Sequence, residues 1–305
     1  MKIKHITLIL LALSSLFAKD VIIEDSQLLY GNPENPGFFP SYTQDAKTVL
    51  FTRNAYQGLW AYDRSTFAVE QITDVQGAGY HPRSLSDGSI IFRHDEYRKG
   101  RKYTALYKAD ASGSHLVAPA GRFISTANLI NDKLVYLSDE MPVVFNAVNE
   151  QRESSHLGVT AILNDKLSLQ VLQDGVLRPL SPRGEGNYIW GELSPAADKV
   201  VFTRTGDGTY ICNLQGNIIS DLGYAHAPQW SPDGEFLVYM KDLDDGYQYT
   251  ASEIWIISAD GSQSWMVTDT ADQIEMYPHW SPDGEHIVYH TLRGKIFETS
   301  IQIVD

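Results

Sequence analysis

The chain has 305 residues, enough for one large domain or two small ones, and 38 acidic against 24 basic residues give a formal net charge of −14. A surface of that sign repels phosphate backbones and anionic headgroups, so charge excludes nucleic acid as a partner. The single cysteine, Cys212, excludes an internal disulfide, and an exported protein without disulfides must hold itself by core burial and closure of its architecture.

Residues 1–18 read as a secretory signal peptide. Lys2 and Lys4 form a positive n-region, Ile6 to Phe17 an apolar run, and Leu16-Phe-Ala18 offers a small residue at the cut. The run is shorter than the roughly 20 residues that span a bilayer, and no later segment is predicted to cross one. The mature protein is therefore expected in the periplasm or outside the cell, with residues 19–305 forming one domain. It opens with Val21-Ile-Ile-Glu24, a strand with no partner nearby in sequence.

A repeated hairpin follows. Its clearest copies are Pro228-Gln-Trp-Ser-Pro-Asp-Gly-Glu-Phe-Leu-Val-Tyr239 and Pro278-His-Trp-Ser-Pro-Asp-Gly-Glu-His-Ile-Val-Tyr289. Pro-Asp-Gly makes a tight turn: proline fixes φ, aspartate bonds nearby backbone, and glycine accepts the positive-φ corner. Trp230 and Trp280 are large buried anchors on the strand before the turn, and an alternating apolar strand follows it. Weaker copies begin at Pro40, Pro82, Ala127 and Gly191, making six units. Each continues with a third strand, such as Gly58 to Asp63 or Glu253 to Ser258, and a short fourth, such as Glu70 to Thr73 or Trp265 to Thr268. Four strands at a period near 40 residues predict an all-β fold, a six-bladed β-propeller of four-stranded blades. The last unit ends in its third strand, Ile296 to Val304, so the N-terminal strand is expected to complete that blade and close the ring.

Three stretches stand apart. Asp139 to Lys166 exceeds what a third blade needs and predicts either an extra hairpin or lid, or a tolerated surface insertion. Asp242 to Tyr249 predicts a solvated acidic loop, one residue short of an EF-hand spacing. Cys212 lies in an apolar strand and reads as a small buried hydrophobe.

The motif Pro-x-Trp-Ser-Pro-Asp-Gly followed by a strand resembles the WD40-like PD40 repeat of TolB-type propellers. The resemblance runs from about Val21 to Asp305. It implies a propeller and names no activity. TolB resembles the chain in its propeller, but its small α/β domain has no counterpart between the leader and the first repeat. Prolyl oligopeptidases share the repeat, but the G-x-S-x-G elbow of their hydrolase domain is absent here. Oligogalacturonide lyases imply a divalent metal held by histidines and a glutamine at the channel mouth. The positions here that match are His81, His226, Gln229 and His279, although Tyr277-Pro-His279 has one ligand fewer than the family's paired His-x-His. The alternative is that these histidines are channel-lining hydrogen bonders.

The residue after the leading proline can be compared across units: Ser41, Arg83, Asn128, Glu192, Gln229 and His279, all polar. In a propeller they should ring one end of the channel, where Arg83 is suited to a carboxylate and Glu192 to a sugar hydroxyl or an amine. The same groups also fit a water-filled channel whose polar groups satisfy one another. Arg53, Arg93, Arg204 and Lys241 end their second strands, either as a basic collar or paired locally. The function expected is a non-catalytic binding or scaffold protein for a cell-envelope protein, peptide or saccharide, without a cofactor. The alternative is a metal-dependent carbohydrate-active enzyme.

Overall fold

The computed structural model describes residues 19–153 and 160–304. The signal-peptide reading of residues 1–18 lies outside them. Among the described residues no helix is long and apolar enough to cross a membrane.

The strands form seven small antiparallel sheets, not six. Two N-terminal strands, β1 (Asp20–Ile23) and β2 (Gln27–Tyr30), precede blade one. Blade one holds β3 (Phe38–Tyr42), β4 (Thr48–Thr52), β5 (Gln57–Asp63) and β6 (Val69–Gln76). Blade two holds β7 (Arg83–Ser84), β8 (Ile90–Arg98), β9 (Arg101–Asp110) and β10 (Gly113–Gly121). Blade three holds β11 (Asn128–Ile130), β12 (Lys133–Ser138), β13 (Met141–Asn146) and β14 (Gln151–Glu153). Blade four has three described strands, β15 (Thr160–Asp165), β16 (Ser168–Gln173) and β17 (Val176–Leu180). Blade five holds β18 (Tyr188–Leu193), β19 (Lys199–Arg204), β20 (Gly208–Asn213) and β21 (Ile218–Gly223). Blade six holds β22 (His226–Trp230), β23 (Phe236–Asp244), β24 (Tyr249–Ser258) and β25 (Ser264–Met266). Blade seven is β26 (Glu275–Trp280), β27 (His286–Thr291) and β28 (Ile296–Val304), to which β1 and β2 both pair.

The stretch from Asp139 to Lys166 is therefore neither insertion nor lid. It carries the outer half of blade three and β15 of an additional blade. Blade four is not legible as a repeat because its first hairpin has no leading proline, no tryptophan and neither the Ser-Pro nor the Asp-Gly that the weaker copies keep in part. Its β15–β16 turn is Lys166-Leu167, both at positive φ (48° and 62°), without glycine or asparagine to announce it.

The hairpin turns form as their residues dictate. In blade six the Asp233 carboxylate accepts from the Glu235 amide (3.0 Å), while Ser231 Oγ accepts from the Phe236 amide (2.9 Å). Gly234 takes φ 72° at the corner. Where the glycine is replaced, by Ala46 and Ala197, the corner keeps φ 56° and the Thr43 or Ser194 hydroxyl supplies the same bonds.

Apolar residues of the second and third strands pack blade against blade. One cluster joins Val238, Met240, Ile254 and Ile256 of blade six to Trp280, Ile287 and Tyr289 of blade seven. Val21 of β1 and Ile301 of β28 enter the same cluster. Cys212 is fully buried, as its strand predicted, and burial pushes its thiol up to about 12.

The N-terminal strand closes the ring as expected, onto the seventh blade. β1 runs antiparallel to β28 with Val21 opposite Ile303 and Ile23 opposite Ile301.

Candidate functional site

In five blades the same distortion lies in the first strand or, in blade two, just before it. Phe39, His81, Trp190, Ala227 and Tyr277, each two residues before the polar ring position, lie at φ 46–52°. The ladders skip there, between Phe38 and Ser41, Ile189 and Glu192, His226 and Gln229, and Met276 and His279. These are β-bulges with a non-glycine residue in the left-handed region, a strained arrangement that persists where the surroundings fix it and that collects at functional sites. The physical consequence is a re-aimed side chain at the start of these five inner strands.

The ring positions share one register. Ser41, Arg83, Asn128, Glu192, Gln229 and His279 pair with Leu50, Ile91, Val135, Val201, Val238 and Val288 of their own second strands. They therefore occupy equivalent places on inner strands around the axis. Asn128 Nδ2 donates to the Ile162 carbonyl (2.6 Å), and Arg83 Nε to the Ala127 carbonyl (3.2 Å).

Glu192, His81 and His279 all feel the charge of Arg83, and His81 also feels His279. Burial pushes the Glu192 carboxyl up to about 7 against the opposing pull of Arg83 and the Trp230 amide. Its Oε2 is buried with no hydrogen-bond partner among the described residues. Burial brings His279 down to about 4, with its Nδ1 donating to the Trp280 carbonyl (2.8 Å). His81 is solvent-exposed yet densely surrounded by protein; desolvation, with the Arg83 and Arg93 charges, pushes it down, and its exposure moderates that effect. Beside it Tyr80, His81, Arg83, Arg93 and Thr126 line a cavity of about 10 Å³, room for about one water molecule.

Around this polar ring stands an aromatic collar that the sequence reading missed. Tyr277 meets Phe39 (4.8 Å between ring centroids), Phe39 meets Tyr56 (4.8 Å), Tyr56 meets Tyr80 (5.0 Å) and Tyr80 meets His81 (4.6 Å). The chain of rings spans blades seven, one and two. On the other side Trp190 and Tyr224 flank His226 at 5.1 and 4.1 Å. All but the exposed Tyr224 and His81 are half-buried, so each presents part of a ring. The signal was there in Phe39-Pro40, His81-Pro82 and Tyr277-Pro278, an aromatic residue or histidine ahead of the leading proline.

Among the described residues the ring nitrogens of His81, His226 and His279 do not all lie within 4.8 Å of one another. His81 and His279 are electrostatic neighbours. His226 is instead held by Asp242, whose Oδ1 accepts from its Nδ1 at 2.9 Å, with Tyr224 donating to Oδ2 at 3.1 Å. Among the described residues, the group of three His, Asp or Glu donors that all lie within 4.8 Å of one another is Asp283, Glu285 and His286, on the hairpin turn of blade seven. The solvated-loop reading fails at one end, because Asp242 is 2 % exposed and only Leu243 to Gln248 lie in solvent.

The second-strand cations do not form a collar. Arg53 lies over Trp60 (4.7 Å), Lys241 over Trp255 (5.1 Å) and Arg93 over Tyr80 (5.1 Å), while Arg204 pairs with Asp207 (3.4 Å). A wider groove of about 550 Å³ lies at the seam of blades seven and one. Inside it Arg64 and Glu298 pair at 2.8 Å, and it contains none of the ring residues.

Glu192 gives a pH-dependent expectation. In the folded protein its carboxyl holds its proton to about 7, whereas in the unfolded chain it ionises near 4.5. The raised value means a contribution to stability that is full below 4.5 and lost as pH rises through 7. Glu192→Gln should therefore be close to neutral below pH 4.5 and stabilise by about 1–3 kcal/mol above pH 7, the residue's partial exposure keeping it at the lower end. Thermal unfolding at both ends of that window measures it; equal effects at both would show that Glu192 is not raised.

No protein-family model matches the sequence, and no curated protein matches it. Solved structures share its fold. TolB from Acinetobacter baumannii superimposes with a TM-score of 0.53 at 19% identity, over 81% of this chain. The chain spans 57% of that protein's length. An oligogalacturonate lyase from Vibrio parahaemolyticus superimposes with a TM-score of 0.50 at 11% identity, over 89% of this chain and 79% of the lyase. At these identities the likeness is one of fold.

Proposed function

We propose that the protein is an exported, non-catalytic binding protein that takes a saccharide at the mouth of its channel. The observation that carries this reading is the pairing of two concentric features at one end of the axis: convergent polar groups and, around them, partly exposed rings presented by strained bulges. A pyranose has apolar faces that stack on aromatic rings and an edge of hydroxyls that needs fixed donors and acceptors. Phe39, Tyr56, Tyr80 and Tyr277 supply the first. Glu192, whose Oε2 has no hydrogen-bond partner among the described residues, Arg83, Gln229 and Ser41 supply the second. A peptide end is served less well, since it makes little use of a chain of rings. Export is supported by the leader-like residues 1–18, and a place in the cell envelope by the fold shared with TolB.

The test is calorimetric titration with a panel of neutral and uronic-acid oligosaccharides. Phe39→Ala combined with Tyr277→Ala should weaken binding about 10- to 100-fold, at about 1 kcal/mol or more per stacked ring. Arg83→Gln should weaken only the uronic-acid members. Binding that ignores all three changes would place the ligand elsewhere. The alternative, a metal-dependent carbohydrate-active enzyme, shares its fold with the lyase, and elemental analysis separates the two readings. Stoichiometric Mn, Zn or Ni that disappears in His279→Ala would favour the enzyme.

A further inference from the structure

Two hairpins are longer than their counterparts, and both rise from the face that bears the mouth. The second strands of blades three, five and seven have six residues, whereas β8 and β23 have nine and their partners β9 and β24 ten. The extra residues lift each tip by about 10 Å, at about 3.3 Å per residue. Strand alternation places every turn between second and third strands at the end where the inner strands begin, so both fingers stand around the mouth. The contacts agree: Asp242, at the root of the blade-six finger, holds His226 at the start of β22.

The fingers carry opposite charge. The tip on blade two is Arg98-Lys-Gly-Arg-Lys102. There Arg98 pairs with Glu96 (2.7 Å) and Lys102 with Asp95 (3.3 Å), and Lys99 and Arg101 enter no ion pair among the described residues. The tip on blade six carries Asp244 and Asp245, exposed and likewise unpaired with any cation. Their carboxylates accept only from the turn amides of Gly246, Tyr247 and Gln248. Each tip also offers apolar surface to solvent: Tyr97 is 69% exposed, Leu243 64% and Tyr247 98%.

We propose that this face is a two-fold interface with a second copy of the same chain, the basic finger of each protomer meeting the acidic finger of the other. The positions permit it. Blades two and six stand almost across the ring, with blades seven and one between them on one side. A two-fold axis parallel to the plane of the ring and lying between the two facing mouths, in the direction of blade four and the seam of blades seven and one, sets blade two of each copy against blade six of the other. Both finger pairs then form at once, as an isologous interface requires. Two uncompensated cations meet two uncompensated anions in each pair, and Tyr97 and Tyr247 become anchors of the kind that carry interface affinity. The fingers hold the two mouths apart and facing.

Sedimentation velocity on the full chain tests this, with charge reversals on one finger at a time. Lys99→Glu with Arg101→Glu makes both fingers acidic, and Asp244→Lys with Asp245→Lys makes both basic. Each variant alone should sediment as a monomer, and an equal mixture should recover a two-chain species. The second variant separates local pairing from net charge. Each Asp→Lys change adds two charges, so the formal net charge falls from −14 to −10. If long-range repulsion governed association it would self-associate better than wild type, whereas here it associates worse, by about tenfold or more. Asp244→Asn with Asp245→Asn keeps the turn acceptors and should also weaken self-association, which guards against a loosened loop. Monomeric wild type at every concentration and salt would overturn the proposal. So would a dimer unmoved by the reversals, or a basic finger that binds only anionic vesicles.

Discussion

A chain that begins at Glu24, without β1, should lose about 4–6 kcal/mol and melt more than about 10 °C below the full domain, if it folds at all. β1 gives β28 its outer partner across Asp20–Ile23 and Ile301–Val304. Removing it uncovers Ile301 and Ile303 and withdraws Val21 from the cluster shared by blades six and seven. Two apolar side chains at about 1.5–3 kcal/mol each account for much of the loss, and the broken ladder for the rest. Two polar ties go as well: the Trp265 indole donates to Asp20 (2.8 Å), and Lys19 pairs with Glu235 of the blade-six turn. Val21→Asp should reproduce about half of the effect in the intact chain, since it keeps the ladder and spoils the packing. Thermal unfolding of both proteins measures this. A truncated chain that melts with the full one would mean that β1 is docked without closing anything.

Trp280→Ala should cost about 3–5 kcal/mol, the range for emptying a large aromatic site in a core. Trp280 is 3% exposed and packs between the second strands of blades six and seven. Its indole nitrogen is buried without a hydrogen-bond partner among the described residues, so Trp280→Phe removes an unsatisfied donor along with volume and should cost only about 1–2 kcal/mol. Trp230, its equivalent in blade six, donates to the Glu192 carbonyl at 3.4 Å, so Trp230→Phe should be the costlier of the two aromatic replacements. Denaturant unfolding of the three variants gives the ordering. A Trp280→Phe protein less stable than Trp230→Phe would show that packing, not the indole hydrogen bond, separates the two sites.

How far the sequence reaches depends on how local each feature is. Ser231-Pro-Asp-Gly234 forms its turn from its own hydroxyl, carboxylate and glycine, so the hairpin was legible wherever those residues stand, and the polar ring followed from the register they fix. Blade four turns at Lys166-Leu167, which carries no turn chemistry of its own, and so one blade went uncounted. The collar depends on φ at Phe39, His81 and Tyr277, each before a proline, where a plain strand was the natural expectation. Asp242 read as solvated because its charge sits in an acidic run; the fold buries it by setting His226 and Tyr224 against it.

By itself the sequence determined the β-hairpin repeat, the propeller it builds and the strand from the N-terminus that fastens the ring, because each rests on turn chemistry and alternation within a few residues. Only the tertiary structure decided the number of blades, the histidines that meet and those that do not, and the rings that circle the mouth. Those depend on which inner strands face one another across the axis, a relation between residues far apart in sequence that no local pattern records.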